Sequence, residues 1–176
     1  MVLDMSASNA PVGDVTAAIL EVDSTLKRIN GTTTGSTAGL SEALVSSPAE
    51  AVGLLDGFCT LLYLFITAFR KACEACGKDV LAETVPLVVG TLRTMTTGVA
   101  PETVPVMAAM MTAAATGLGP GLWRASYGPW RPEELMALER TLLILAQEIN
   151  TAHGTDDAAL RLVMDALDAA DGDSPR

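Results

Sequence analysis

The stretch from Ala82 to Gly117 constrains the fold most, because it contains nearly the same segment twice. The motif Glu-Thr-Val-Pro begins at Glu83 and again at Glu102, an offset of nineteen residues. Each copy leads to a Thr-Gly pair, at 97–98 and at 116–117. An acidic residue, a threonine and a proline suit the first turn of a helix, and a glycine suits its end. The repeat therefore predicts a hairpin of two helices that start alike.

This hairpin has almost no polar side. Between Arg93 and Arg124 the only charged residue is Glu102. A helix that is apolar on all sides needs cover from other parts of the protein. We therefore expect a buried hairpin.

The composition favours helices packed on helices. The chain has 176 residues, of which 49% are apolar and only 4% aromatic, so a core must be built from many small aliphatic side chains. A chain of this length forms one domain with a substantial core. We predict an all-α fold: a single-domain helical bundle over residues 1–176, with six or seven helices.

A long central helix is predicted from Pro48 to Cys76. Ser47-Pro48-Ala49-Glu50 is a helix start, with Ser47 as the N-cap, Pro48 at the first helical position and Glu50 placed to reach back to the cap. The following residues are apolar on most of the helix circumference until Arg70 and Lys71. This helix should be the most buried one.

Two further helices carry apolar residues at alternating steps of three and four, which makes each amphipathic. The spacing also matches a heptad, so each seam could pack on a second chain and support a homodimer. The first seam comprises Val12, Val15, Ile19, Val22, Leu26 and Ile29, and the second Leu135, Leu138, Leu142, Leu145 and Ile149. Asn30-Gly31 and His153-Gly154 should end these helices, and a last helix should follow Asp156-Asp157.

Several segments should be irregular. We expect residues 1–11 and 171–176 to be disordered and the Thr/Gly/Ser-rich residues 31–40 to form a mobile loop. Pro86 should break its helix near residues 83–85. The Gly- and Pro-rich residues 117–132 should form a structured loop without regular secondary structure.

Charge and cysteine content exclude some functions. The formal net charge of −10 repels phosphates, so nucleic acid is not an expected partner. No signal peptide is visible, and three cysteines suit reduced thiols, so we expect a cytoplasmic protein. Thr103 to Trp123 is uncharged over a membrane-spanning length but ends in Gly-Leu-Gly-Pro-Gly, so membrane insertion is not expected.

Cys73 and Cys76 form the only closely spaced pair of cysteines and could hold a metal ion or act as a dithiol. Their predicted place at the end of a helix opposes thiolate formation, because the helix dipole is negative there. Cys59 and His153 could complete four zinc ligands, but neither belongs to a second close pair. His153 is better suited to a hydrogen bond with a carbonyl at a helix end. We therefore predict structural thiols, with no metal and no cofactor.

The loop after Gly117 is the best candidate binding site. It contains both tryptophans and repeats a Trp-Arg pair, and its candidate residues are Trp123, Arg124, Tyr127, Trp130 and Arg131. These residue types dominate the energetics of protein interfaces. The alternative is that the tryptophans cover one end of the bundle while the arginines pair with carboxylates.

Met107, Met110 and Met111 could line an adaptable apolar pocket, because thioethers are flexible. In a helix so rich in alanine they could equally fill gaps in the core.

Three functions are consistent with these patterns. The first is a non-enzymatic cytosolic protein that acts through protein–protein interaction, as a homodimer or with a protein partner. The second is a sensor or binding protein for a hydrophobic small molecule, held between the methionines, the central helix and the aromatic loop. The third is a metal or dithiol protein that uses Cys73 and Cys76.

Overall fold

The computed structural model describes residues 13–31 and 48–172, and these residues form an all-α bundle. Seven α-helices and no strand lie within the described ranges, which confirms the predicted fold class. The helices are α1 (Val15–Ile29), α2 (Pro48–Ala75), α3 (Val80–Thr94), α4 (Val104–Ala115), α5 (Pro120–Ala125), α6 (Pro132–His153) and α7 (Ala158–Gly172). A single 3₁₀ turn, Pro101–Thr103, precedes α4.

Helix α2 is the centre of the bundle, as its sequence predicts. It is not the most buried helix, however, because 39% of its apolar window is buried whereas seven of the twelve residues of α4 are. Helix α2 contacts each of the six other described helices. Its largest core side chains, Phe58, Leu61, Leu62, Phe65 and Ile66, are fully buried. The N-cap predicted at Ser47 and the side chain of Glu50 lie outside the described residues, although α2 does begin at Pro48.

Helix α1 crosses α2 with the two backbones in contact. The Asp14 backbone N–H donates a hydrogen bond to Gly53 O at 2.9 Å, an unusual contact between two helices. A Cβ atom added to Gly57 would lie 2.4 Å from Asp14 O, a distance that no real contact tolerates. Glycine at position 57 therefore allows the close approach that buries the inner face of α1.

We predict that Gly57→Ala destabilises the fold by about 2–4 kcal/mol, because the added methyl forces α1 away from α2 and opens the packing between them. Gly90→Ala is the matched control, since Gly90 lies inside α3 with no atom near its Cβ position. That change should stabilise by about 0.5–1 kcal/mol through helix propensity. Urea unfolding followed by circular dichroism measures both, and equal effects would contradict the backbone contact.

Helices α3 and α4 contact each other as the predicted hairpin. Their starts, however, differ. Helix α3 begins at Val80, where the Asp79 side chain accepts a hydrogen bond from Leu81 N at 2.9 Å, and it runs through Pro86. The break predicted near residues 83–85 is therefore wrong. Pro86 and Ala82 are both exposed, so the Ala82 carbonyl that loses its helical donor faces water.

The second copy of the repeat is a helix start, because Pro101–Thr103 forms the 3₁₀ turn and Pro105 lies in the first turn of α4. The prediction that both copies start a helix in the same way is therefore wrong. The first copy is instead part of a helix that Asp79 has already started. Cover of the hairpin also differs between its two helices, since Met107, Met110 and Met111 of α4 are fully buried whereas Leu87 of α3 is 49% exposed.

The segment predicted as an irregular loop, residues 117–132, contains the short helix α5. Pro120 occupies its first position, where a missing N–H costs nothing. Gly121 packs against Cys59 of α2, because a Cβ there would lie 3.3 Å from the Cys59 Cβ. Proline and glycine, which usually interrupt helices, here allow one to start and to approach α2.

The ends of α1 and α6 are where the sequence predicts them. Helix α6 ends at His153, and Gly154 adopts a left-handed conformation with φ of 66°. The buried side chain of Asn150 joins α6 to α7, because it donates to Asp156 O and accepts from Ala159 N. Helix α7 includes Asp171 and Gly172, which the sequence assigned to the disordered tail. Most of the other segments predicted to be irregular, 1–11 and 31–40, lie outside the described residues.

Both heptad-like seams pack inside the chain's own core. Val15, Ile19, Val22 and Leu26 of α1 are buried, and so is every residue of the α6 seam from Leu135 to Ile149. Ile29 is exposed and Val12 lies outside the described residues. The buried residues of the two seams are therefore not available to a second copy, and the seams no longer support a homodimer.

Among the described residues, one helical stretch, Ala51–Ala75, is long and apolar enough to cross a membrane by length and composition. It belongs to α2, and 39% of the apolar window is buried within the bundle. The central helix of a bundle meets the same two criteria. The other stretch considered from the sequence, Thr103 to Trp123, is divided between α4 and α5.

The carboxyl groups of Glu21 on α1 and Glu139 on α6 have charged neighbours that shift their pKa values. Burial raises the pKa of Glu21, and the nearby Glu139 carboxylate raises it further, while Arg28 lowers it. Burial also raises the pKa of Glu139, partly offset by Arg140 and Arg28. One carboxyl oxygen of Glu21 is buried without a hydrogen-bond partner. Ionisation of these two groups therefore opposes folding.

We predict that Glu139→Gln raises the melting temperature at pH 7. A carboxyl with a raised pKa binds its proton more tightly in the folded state, so stability falls as pH rises from the ordinary value of 4.5 through the raised pKa. The gain should vanish below pH 4, where the wild-type group is protonated in both states. Melting curves between pH 3.5 and 7.5 measure it, with the exposed Glu102→Gln as control. A gain independent of pH would contradict the assignment.

Candidate functional site

A groove of about 480 Å³ lies between the outer face of α4 and the segment that joins α5 to α6. We call it the aromatic groove. Its lining combines three small apolar residues of α4, aromatic and proline side chains, and charged groups: Pro105, Val106, Ala109, Trp123, Arg124, Tyr127, Pro129, Arg131 and Glu134. Four of the five residues predicted from the Trp-Arg pattern thus line one groove.

Arg124 holds the segment in place from inside. Its side chain is buried, and it donates from Nη1 to Gly128 O at 3.0 Å and from Nη2 to Pro129 O at 3.1 Å. The same Nη2 group forms an ion pair with the buried carboxylate of Glu134. One side chain therefore ties the end of α5, the turn after it and the first turn of α6 together.

The ring of Trp130 covers the Arg124 guanidinium, whose central carbon lies 4.9 Å from the ring centroid. A cation over an indole face gains electrostatic attraction, more so where water is excluded. Both tryptophans are half-buried and pack against the hydrophobic core. Trp130 therefore covers both a buried charged group and part of the hydrophobic core.

Glu134 receives more than one donor. Its carboxylate accepts a hydrogen bond from the Arg131 backbone N–H at 3.0 Å, which caps the start of α6. Burial alone would raise its pKa, but this hydrogen bond and the pairing with Arg124 outweigh burial and hold the pKa of Glu134 below its ordinary value. The carboxylate is therefore ionised at neutral pH and balances the charge of Arg124.

Tyr127 and Arg131 form the accessible part of the site. The Tyr127 ring lies 4.7 Å from the Trp123 ring at an angle of 42°, yet Tyr127 is 68% exposed. The Arg131 side chain is 53% exposed and reaches Glu134 Oε1 only at 3.4 Å. The segment thus has a buried scaffold, Arg124 with Trp130, and an exposed surface, Tyr127 with Arg131.

The three methionines do not contribute to this groove. Met107, Met110 and Met111 are fully buried in the core, on the side of α4 away from the groove. They belong to the same hydrophobic core cluster as Phe58 and Leu62 of α2.

Pro105, Val106 and Ala109 were missed by sequence reasoning. They share one face of α4, because residues three and four apart are neighbours on a helix. The signal was present, since the predicted methionine face leaves this small-residue face on the opposite side. Glu134 lies in the first turn of α6, where an acidic residue is common, and nothing local in the sequence marks it as the partner of Arg124.

The cysteines and His153 do not converge. Cys59 and Cys73 are fourteen residues apart on α2, which separates them by roughly 21 Å along the helix. Burial raises the pKa of the Cys59 thiol to about 12, which disfavours the thiolate that zinc requires. His153 Nδ1 contacts Ile149 O at 2.9 Å, the carbonyl contact expected from the sequence. Within residues 13–31 and 48–172, no group of three or more His, Cys, Asp or Glu side chains is placed to hold a metal ion.

A second groove of about 500 Å³ lies beside the α6–α7 turn. Its lining contains His153, Thr155, Arg161 and Asp165 but no tryptophan or tyrosine. The Arg161 side chain is already paired with Asp157 at 2.8 Å. This groove therefore lacks the exposed aromatic surface that distinguishes the first one.

Comparison of the chain with protein-family models, curated proteins and solved structures finds no match. The chemistry of the aromatic groove is therefore interpreted from its own residues.

We predict that Arg124→Ala destabilises the protein by about 3–5 kcal/mol, because it leaves Glu134 as a buried charge without its main partner. It also removes the bonds that hold Gly128 and Pro129. Arg161→Ala removes an exposed pair and should cost about 1 kcal/mol or less. Urea unfolding at pH 7 compares the two variants, and a similar small loss in both would show that the buried pair does not hold this segment.

Proposed function

We propose that the protein is a non-enzymatic binding protein that docks a segment of a partner protein in the aromatic groove. The observation that carries this proposal is the exposure of Tyr127 above a fixed support. Tyr127 is 68% exposed, and the contact of its apolar ring with water is unfavourable for the isolated protein. Here the ring is also held against Trp123, whose backbone belongs to the segment tied by Arg124. Such rigid aromatic side chains are the usual anchors of protein interfaces.

The shape of the groove favours a protein segment over a small molecule. Pockets for small ligands bury most of the ligand surface and are therefore largely enclosed. One wall of this groove is Tyr127, which faces solvent, and another is the outer surface of α4. An open trough with an aromatic ridge and a proline wall is typical of surfaces that bind extended or proline-containing peptides.

A second copy of this chain is a less favoured occupant. The two seams that suggested a homodimer lie inside the core. The partner chemistry that suits the groove is a segment with one or two apolar or proline residues, which would pack between Tyr127 and the Val106 face of α4. Binding would then use the aromatic surface and leave the bundle unchanged.

The proposal predicts that Tyr127→Ala strongly weakens groove binding and leaves the fold intact. The probe is a displayed library of random twelve-residue peptides selected on the full chain, from which binders are synthesised with acetylated and amidated ends. Their dissociation constants follow from tryptophan emission, because both tryptophans of the chain lie at this site. Loss of an interface anchor weakens binding by about tenfold or more.

Leu87→Ala is the matched control, since Leu87 is an exposed apolar residue on α3 that does not line the groove. It should leave the dissociation constants unchanged, and melting curves should show both variants folded. Peptides that bind wild type and Tyr127→Ala equally, or a selection that yields no binder, would overturn the proposal. Self-association lost in Tyr127→Ala, measured by sedimentation, would assign the groove to a second copy instead.

A further inference from the structure

The two arginines of the aromatic groove differ in how many of their donors are engaged. Arg124 is buried and directs both terminal nitrogens to the protein, at Gly128, Pro129 and Glu134. Arg131 is half-exposed, and within the part of the chain that the structure describes its guanidinium has one contact, with Glu134 Oε1 at 3.4 Å. A guanidinium carries five N–H donors, so most donors of Arg131 can reach a ligand.

Glu134 does not depend on the Arg131 side chain. Its carboxylate is already held by the Arg124 guanidinium and by the Arg131 backbone N–H. The side-chain contact is at the long end of the hydrogen-bond range and involves an exposed group, so it is weak. Arg131 can therefore turn toward a ligand while the buried pair stays intact.

The local charge of the groove is opposite to that of the protein. Its lining contains two arginines and one glutamate, an excess of one positive charge, whereas the whole chain carries a net charge of −10. Because Glu134 balances Arg124, the excess resides on Arg131. This charge favours a ligand that brings a carboxylate to the exposed rim.

The backbone at the start of α6 offers few N–H donors to a ligand, because Pro132 has none and those of Arg131, Glu134 and Leu135 are engaged within the protein. The N–H groups of Glu134 and Leu135 donate to Arg131 O, and the Arg131 N–H donates to Glu134. Capture of a chain terminus generally relies on such backbone donors. A carboxylate at this rim would instead be recognised by the Arg131 side chain.

We propose that the partner segment carries an aspartate or glutamate side chain next to its apolar anchor, and that Arg131 is the residue that selects it. This inference rests on the proposed function, because it assumes a segment docked on Tyr127. The apolar anchor packs on the aromatic ring, and the carboxylate accepts hydrogen bonds from the Arg131 guanidinium.

The test uses the peptides selected above, in pairs that differ only by Glu→Gln or Asp→Asn at one position. The acidic member should bind about fivefold more tightly to wild type, the gain of one partly exposed charge-assisted pair. In Arg131→Gln that preference should fall to about one, since the partner of the carboxylate is gone. Arg161→Gln is the matched control, an exposed and paired arginine outside the groove, and it should keep the full preference.

The outcomes distinguish a failure of the role proposed for Arg131 from a failure of the proposed binding function. Peptides that require Tyr127 but show no acidic preference, or keep that preference in Arg131→Gln, would overturn the role of Arg131 and leave the binding function standing. A glutamine peptide that regains affinity when its carboxyl terminus is left free would assign the rim to a chain terminus and also overturn the side-chain proposal. A selection without any Tyr127-dependent peptide would overturn both.

Discussion

The buried pair of Arg124 and Glu134 is the interaction on which the candidate site depends. Two charges removed from water are costly, and hydrogen bonds to the protein offset part of that cost. Here the terminal nitrogens of Arg124 also hold the carbonyls of Gly128 and Pro129, although its buried Nε has no partner among the described residues, and the carboxylate of Glu134 also caps α6. An apolar pair of the same volume could fill this space, but it could not fix the backbone carbonyls. The pair thus fixes the geometry of a turn whose residues Gly128 and Pro129 are themselves exposed.

The sequence predicts the fold class well because that depends on local patterns. The periodic apolar residues of α1 and α6, the start at Pro48 and the glycines after α1 and α6 all depend on residues a few positions apart. Pro86 and α5 were mispredicted because proline and glycine have more than one structural role. Pro86 is tolerated inside α3 since its side of the helix faces water, and Gly121 is tolerated in α5 since it lies against Cys59. Both depend on where the segment packs, which local pattern does not contain.

The candidate site could likewise be predicted from the sequence only in part. Clustered tryptophan, tyrosine and arginine residues identify the segment from sequence alone, because those residue types are common at interfaces. Which of them is scaffold and which is surface could not be inferred. Arg124 and Arg131 each follow a tryptophan, yet one is buried and the other is exposed. The difference arises from Glu134, ten residues from Arg124, and from the contact between α4 and α5, neither of which the local sequence encodes.

The charge distribution imposes a condition on any acidic partner. A chain with a net charge of −10 repels a negatively charged segment at long range, while Arg131 attracts it at contact. At physiological ionic strength the Debye length is about 8 Å, so repulsion from distant carboxylates is largely screened. The contact with Arg131 acts at hydrogen-bond distance and is screened much less. Under these conditions local complementarity outweighs net charge, so a carboxylate beside an apolar anchor on Tyr127 can pair with Arg131 despite the acidic surface.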